Sequence, residues 1–166
     1  MKFCLLTLED TEALLAFELE NRDWFEATIE KRADDFYDIN SVKAQINHFL
    51  DLFQQKQMYP ALIKDKSGKI LARTNLRLAN NGYDTIGYRV SKKASGKGVA
   101  TFATKEILRI AKNEFNLNGI SAFVSIENPA SASVLSKFGF KATKLHPEMA
   151  LVQGRKIDCH LYQLIL

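Results

Sequence analysis

A chain of 166 residues with 46% hydrophobic side chains is long enough to bury one sizeable core, and it fits one domain covering residues 1–166. Its formal charge of +4 comes from 23 basic and 19 acidic residues that are interspersed along the chain, which argues against direct nucleic-acid binding and would suit an anionic small ligand. Apolar runs are far shorter than a membrane span and Met1 to Leu6 is too brief for a signal peptide, so a cytoplasmic protein with no membrane partner is expected. Cys4 and Cys159 lie far apart and read as free thiols, while His48, His146 and His160 are scattered, so no metal site is expected. Oligomeric state leaves no mark in the pattern.

Lys2 to Leu6 reads as a short strand, followed by a helix with Thr7 or Asp10 near its N-terminus. The aromatic tract Trp24 to Asp38 is mixed; it has room for one short helix, and Trp24, Phe25, Phe36 and Tyr37 are expected to pack on the core. After Asn40-Ser41, Val42, Ile46, Phe49, Leu50 and Phe53 recur at helical spacing. The period then changes. Tyr59 to Lys64, Lys69 to Leu78 and Tyr83 to Val90 read as a three-strand antiparallel meander turned at Asp65 to Gly68 and at Asn80-Asn81-Gly82. A helix of about four turns follows, with Phe102, Ala103, Ile107, Ile110, Ala111 and Phe115 inward. Ile120 to Ile126 then alternates as a strand parallel to the meander's last strand, which makes a βαβ unit. Asn128 as N-cap, Pro129 at the first position and Gly139 as stop bound a short helix. Phe140 to Leu145 and Lys156 to Leu166 are read as closing strands joined by a loop containing Pro147 and Gly154. The fold class is therefore α/β, an α+β mixed sheet.

The segment between the meander and the crossover helix carries the strongest chemical signal. Gly96 and Gly98 join a strand to a helix, and residues without Cβ let backbone amides approach an anion at the helix's positive end. A Walker A loop is excluded because Lys97 is followed by Gly98 and no hydroxyl residue. A dinucleotide fingerprint is excluded because Thr101 stands where a third glycine is needed. A glycine-rich turn with no ligand remains an equal reading of the loop taken alone.

What remains, Lys93-x-x-Gly96-x-Gly98, resembles the Arg/Gln-x-x-Gly-x-Gly/Ala loop of the GNAT acyltransferase superfamily, with lysine in place of Arg or Gln. The element order, together with Asn128-x-x-Ser131 and Phe138-Gly139-Phe140 after the fifth strand, is similar to the GNAT fold over nearly the whole chain. Glu20 to Phe25 and Thr85 to Val90 further resemble the RimJ/RimL branch, whose characterised members acetylate N-termini of ribosomal proteins while others act on small amines, antibiotics or polyamines. The resemblance implies an antiparallel meander and a βαβ unit whose central strands splay, and it implies acetyl-CoA as donor in a direct ternary-complex transfer. Tyr88, Arg89 and Val90 would pair with the pantetheine arm as an added strand. Lys93, Ala94, Ser95, Gly96, Lys97, Gly98, Val99 and Ala100 would hold the pyrophosphate, and Asn128 and Ser131 would face the arm.

The reaction needs a neutral amine, a polarised carbonyl and a protonated leaving thiolate. An amide at Tyr88 or Arg89 would polarise the carbonyl. Many GNAT enzymes carry a tyrosine acid in the short helix, but Leu135 stands there, so the RimJ/RimL-type serine, Ser131, is the candidate acid. A Ser at that position is also an ordinary first-turn residue. Asn75 to Ala79, where RimL-like enzymes place a Glu, contains no acid. Asp84 is a weak candidate base through a water, although a hairpin Asp is more often a turn residue. An α-amine titrates near 7.7 to 8.0 and needs less help than a lysine, which suits an α-amine or another low-pKa amine as acceptor; the resemblance implies a protein N-terminus, a ribosomal protein's in particular. The alternatives are a small cationic amine, for which Glu18, Glu20, Asp23 and Glu26 would supply an acidic pocket, and a non-catalytic acyl-CoA-binding module.

Overall fold

The computed structural model describes residues 1–80 and 82–166; of the expected turn at 80–82, Asn81 lies outside the described residues. In chain order the elements are β1 (Lys2–Leu5), α1 (Thr11–Glu20), α2 (Arg22–Glu26), α3 (Ile39–Gln54), β2 (Met58–Lys64), β3 (Ile70–Arg77), β4 (Thr85–Val90), α4 (Val99–Asn113), β5 (Gly119–Ser125), α5 (Pro129–Lys137), β6 (Lys141–Val152) and β7 (Arg155–Ile165). The strands form one sheet of order β1-β2-β3-β4-β5-β7-β6. All neighbours are antiparallel except β4 and β5, which the α4 crossover makes parallel.

That parallel pair is joined in register only at Thr85 and Ser121, where the Ser121 amide donates to the Asp84 carbonyl at 2.8 Å. Beyond this point the strands part toward Val90 and Ser125. The splay expected for the central strands is therefore present, and it opens at their C-terminal ends.

Alternation within β2 sends Leu62 and Ile63 to opposite faces. On one face Leu14 and Phe17 of α1 and Val42, Ile46 and Phe49 of α3 form a core with Leu62. On the other, Ile107, Ile110 and Ala111 of α4 pack with Ile120, Ala122 and Val124 of β5 and with Leu135 and Phe140. Each fully buried aliphatic side chain in these layers contributes roughly 1.5 to 3 kcal/mol. Phe102 and Phe115, expected to point inward, are only half-buried at the margins, and Val99 and Thr104 complete the buried face.

Helix starts follow local capping chemistry. Asp10 accepts from the Thr7 amide at 3.0 Å and from its hydroxyl at 3.1 Å, so both residues named from the sequence take part at the entry to α1. The start of α3 is earlier than Asn40-Ser41 suggested: the Asp38 carboxylate accepts from the amides of Asn40 and Ser41 at 2.8 and 3.4 Å, making Asp38 the N-cap. The aromatic tract holds α2 and a single turn of 3-10 helix at Asp34–Tyr37.

The closing hairpin differs from expectation. No long loop contains Pro147 and Gly154. β6 runs on to Val152 and turns tightly at Gln153-Gly154, whose φ angles of 50° and 75° suit a two-residue hairpin turn. Pro147, which has no amide to donate, falls in the register irregularity between His146 and Ala150.

Candidate active site

β4 brings its unpaired edge into the gap. The Ser91 amide donates to the Leu71 carbonyl at 2.9 Å, and the unbroken register with β3 puts Arg89 and Gly87 in phase with it. In an antiparallel ladder alternate residues bond the same neighbour, so the amides and carbonyls of Ile86, Tyr88 and Val90 point toward β5. Of the two amides considered from the sequence, Tyr88's faces the gap and Arg89's faces β3. The Trp24 indole donates to the Val90 carbonyl at 3.1 Å, and the buried Asn21 side chain accepts from the Lys92 amide at 2.9 Å. These two bonds pin the α1–α2 corner to the end of β4.

Past β4 a single 3-10 turn, Lys92–Ala94, leads through Ser95 into Gly96 and Gly98, whose φ angles of 73° and 77° lie in the left-handed region. A Cβ at either glycine would meet nothing within 4 Å, and both glycines line an open cleft. The Ser95 amide donates to the Ser91 carbonyl and the Lys97 amide to that of Ala94, at 3.0 and 3.3 Å. The amides left for an anion are those of Gly96 and Gly98 and of Val99, Ala100 and Thr101 in the first turn of α4, where the helix dipole adds its positive end.

A cleft of about 370 Å³ opens here, bounded by Trp24, Phe25, Tyr88, Arg89 and Val90, by Ala94 to Gly96 and Gly98 to Thr101, and by Asn128, Ser131 and Lys137. Lys93 and Lys97 do not line it. They border a separate cavity of about 770 Å³ with Lys69 and Lys92, next to α1. The lysine in the cleft wall, Lys137 on α5, was not singled out from the sequence because nothing local marks it.

A second cavity of about 320 Å³ passes through the splay and shares Thr28, Ile29, Tyr88, Asn128 and Ser131 with the cleft. At this shared wall the Tyr88 and Ser131 hydroxyls are hydrogen-bonded at 2.9 Å. Burial pushes the Tyr88 phenol above its ordinary value of 10.0, against the opposing effect of the Ser131 bond, so Tyr88 keeps its proton through the neutral range. Asn128 caps α5 by accepting from the Ser131 amide at 3.0 Å, which uses its oxygen and leaves its amide nitrogen to donate.

Residues 3–141 match the Acetyltransferase (GNAT) domain family. The chain belongs to the GNAT acetyltransferases. It is 30% identical over 139 residues to the probable N-acetyltransferase YjcK of Bacillus subtilis, covering 81% of this chain and 77% of that one. In fold it is similar to a ribosomal-protein-S5-alanine acetyltransferase from Vibrio fischeri, with a TM-score of 0.92 at 20% identity over 98% of this chain and 91% of that chain. It is also similar to Mycobacterium smegmatis RimJ, solved in complex with CoA-disulfide, with a TM-score of 0.87 at 21% identity over 98% and 80% of the two chains. GNAT enzymes take their acetyl group from acetyl-CoA.

Two positions bear on the acid and the base. Leu135, at the place of the family's helix tyrosine, is 1% exposed and belongs to the apolar core, whereas a tyrosine hydroxyl reaches the same wall from β4. Asp84 lies at the closed end of the β4–β5 pair, where its carboxylate accepts from the Ala79 amide at 3.0 Å. Its position is that of a turn residue, away from Ser131. Glu30 is the one acid among the described residues lining the second cavity, and it was missed because an exposed loop acid carries no sequence signal.

Proposed function

We propose that this GNAT acetyltransferase moves the acetyl group of acetyl-CoA onto a primary α-amine, with a protein N-terminus, a ribosomal protein's in particular, as the acceptor. The observation that carries the reading is the Tyr88–Ser131 hydroxyl pair at the wall shared by two cavities, one of which opens on the glycine loop. The fold shared with a ribosomal-protein-S5-alanine acetyltransferase and with a ribosomal L7/L12 alpha-N-protein acetyltransferase supports the acceptor class.

The residues divide the work by position. Gly96, Gly98 and the first turn of α4 would hold the pyrophosphate, and the free edge of β4 would pair with the pantetheine arm. Acetyl-CoA supplies an activated carbonyl and a thiolate leaving group. The Tyr88 amide, directed into the gap, polarises that carbonyl as the amine nitrogen bonds to its carbon and the C–S bond breaks. The Tyr88–Ser131 pair delivers a proton to the sulfur. The proton lost by the amine leaves through water toward Glu30 at the rim of the second cavity.

A polyamine acceptor is disfavoured by the charges actually present. Of the four acids near the aromatic tract, Glu18, Glu20 and Glu26 are each ion-paired, to Arg73, Lys69 and Arg22 respectively. The deciding experiment is a mass-spectrometric screen with isotope-labelled acetyl-CoA against N-terminal peptides and small amines. Label on α-amines supports the reading; label confined to polyamines or antibiotics, or no label with acetyl-CoA bound, overturns it.

A further inference from the structure

Beside the splay, on the face of β4 opposite the Tyr88 side chain, the structure concentrates arginine charge around a single acid. Glu18 of α1 is 1% exposed and accepts from Arg73 at 2.6 Å, Arg32 at 3.3 Å and Arg89 at 3.4 Å. Three guanidinium groups against one carboxylate leave a local excess of two positive charges. Each cation also lies over an aromatic ring: Arg73 and Arg89 at 5.6 Å from the centroids of Phe49 and Phe25, and Arg32 at 4.0 Å from that of Phe36. Each guanidinium therefore has an aromatic contact besides its carboxylate partner.

The neighbouring acids do not supply the missing charge. Glu26 is engaged by Arg22 and the Tyr37 hydroxyl, and Asp34 by Arg22 and Lys31. Arg73 is buried and turned inward, also donating to Gln45 at 3.2 Å. Arg32 and Arg89 differ: their side chains are 18% and 26% exposed, and among the described residues each donates only to Glu18. The Arg32 Nε is buried with no hydrogen-bond partner among the described residues. Arg89 belongs to the cleft wall with Phe25 and Thr28, next to the cavity that Glu30 borders. Burial first and the adjacent Arg32 second lower the Arg89 guanidinium to about 10, so it is still charged at pH 7.

We propose that the Arg89 and Arg32 guanidiniums form an anion subsite for the acceptor, which therefore carries a carboxylate close to the amine that is acetylated. Resting on the α-amine reading above, this narrows its substrate class. Glu30 at the rim suits the ammonium end and Arg89 the carboxylate end of such an acceptor. Two sources offer that chemistry: an acidic side chain at the first or second position of a peptide, and the α-carboxylate of a free amino acid.

The test compares kcat/KM for matched acceptors with acetyl-CoA saturating. One arm sets C-terminally amidated peptides bearing Asp or Glu at position one or two against their Asn or Gln counterparts; the other sets free amino acids against their amides. The expected result is a preference of roughly 10- to 100-fold for the acidic member in at least one arm, the arm naming the source. Arg89→Met should bring that ratio close to one whatever the absolute rate, and Arg89→Lys should keep most of it. Arg32→Met should reduce it. A wild-type ratio near one overturns the subsite while leaving the α-amine reading intact; acetylation of no α-amine at all overturns that reading instead. An unchanged ratio in Arg89→Met with a raised KM for acetyl-CoA shows that Arg89 serves the donor, and also overturns the proposal. The wild-type comparison decides even if a variant fails to fold.

Discussion

In the proposed mechanism the chemistry turns on Tyr88, because one position supplies two donors in different directions. Its amide points along the sheet into the gap, and its side chain leaves the sheet to meet Ser131 at 2.9 Å. A phenol kept protonated by burial has a proton to give at neutral pH, and on the proposed reading the serine would relay or solvate it. Tyr88→Phe should lower kcat by about 100-fold with acetyl-CoA affinity changed only a few-fold, and Ser131→Ala should lower it less, since the phenol remains. Stopped-flow turnover beside calorimetric binding checks this; a Tyr88→Phe enzyme at full rate would remove the acid role. Because the Tyr88 phenol lies above 10.0, no loss of the acid should appear between pH 7 and 9. The rate should instead rise as the acceptor amine loses its proton near 7.7 to 8.0.

Among the elements, the turn into α4 and the β6–β7 turn provide a matched comparison. Gly98 and Gly154 have φ angles of 77° and 75°, and a Cβ at either would meet nothing within 4 Å. Alanine at each should therefore cost a similar strain of about 1 kcal/mol in stability. Only Gly98→Ala places a methyl where an anion would approach the amides, so only that change should weaken acetyl-CoA binding, and Gly98→Val should abolish it. Thermal melts with and without acetyl-CoA read both quantities; equal donor affinity in Gly98→Val and wild type would move the pyrophosphate elsewhere. The same comparison shows which local signals were legible. The α5 caps were readable because Asn128 and Pro129 act within one turn of chain. The continuous β6–β7 ribbon was not, because Pro147 marks a loop and an edge-strand irregularity alike, and only pairing with β7 separates them.

At the scale of the whole molecule, Glu18 ties α1 to β3 through Arg73, to β4 through Arg89 and to the aromatic tract through Arg32. Burial alone would raise its carboxyl, but the three guanidiniums more than offset this and hold it below its ordinary 4.5. A carboxyl with a depressed folded pKa contributes stability that is complete above its unfolded value and is lost as pH falls through the folded one. Unfolding free energy should therefore drop below pH 4.5, and Glu18→Gln should show a shallower drop in urea melts between pH 3 and 7. Glu18→Ala at pH 7 should cost about 3 to 5 kcal/mol, because it strands buried arginines. A loss within experimental error would show that the cluster is not structural. By itself the sequence determined the element order, the glycine turn and the Asn128 cap, since each depends on periodicity or on residues a few positions apart. Tertiary structure alone decided which β4 amide faces the gap, which lysine lines the cleft, and what stands beside what. The Tyr88–Ser131 pair spans 43 positions and the Glu18–Arg73 pair 55, and such contacts exist only once packing of the sheet and helices sets their distance.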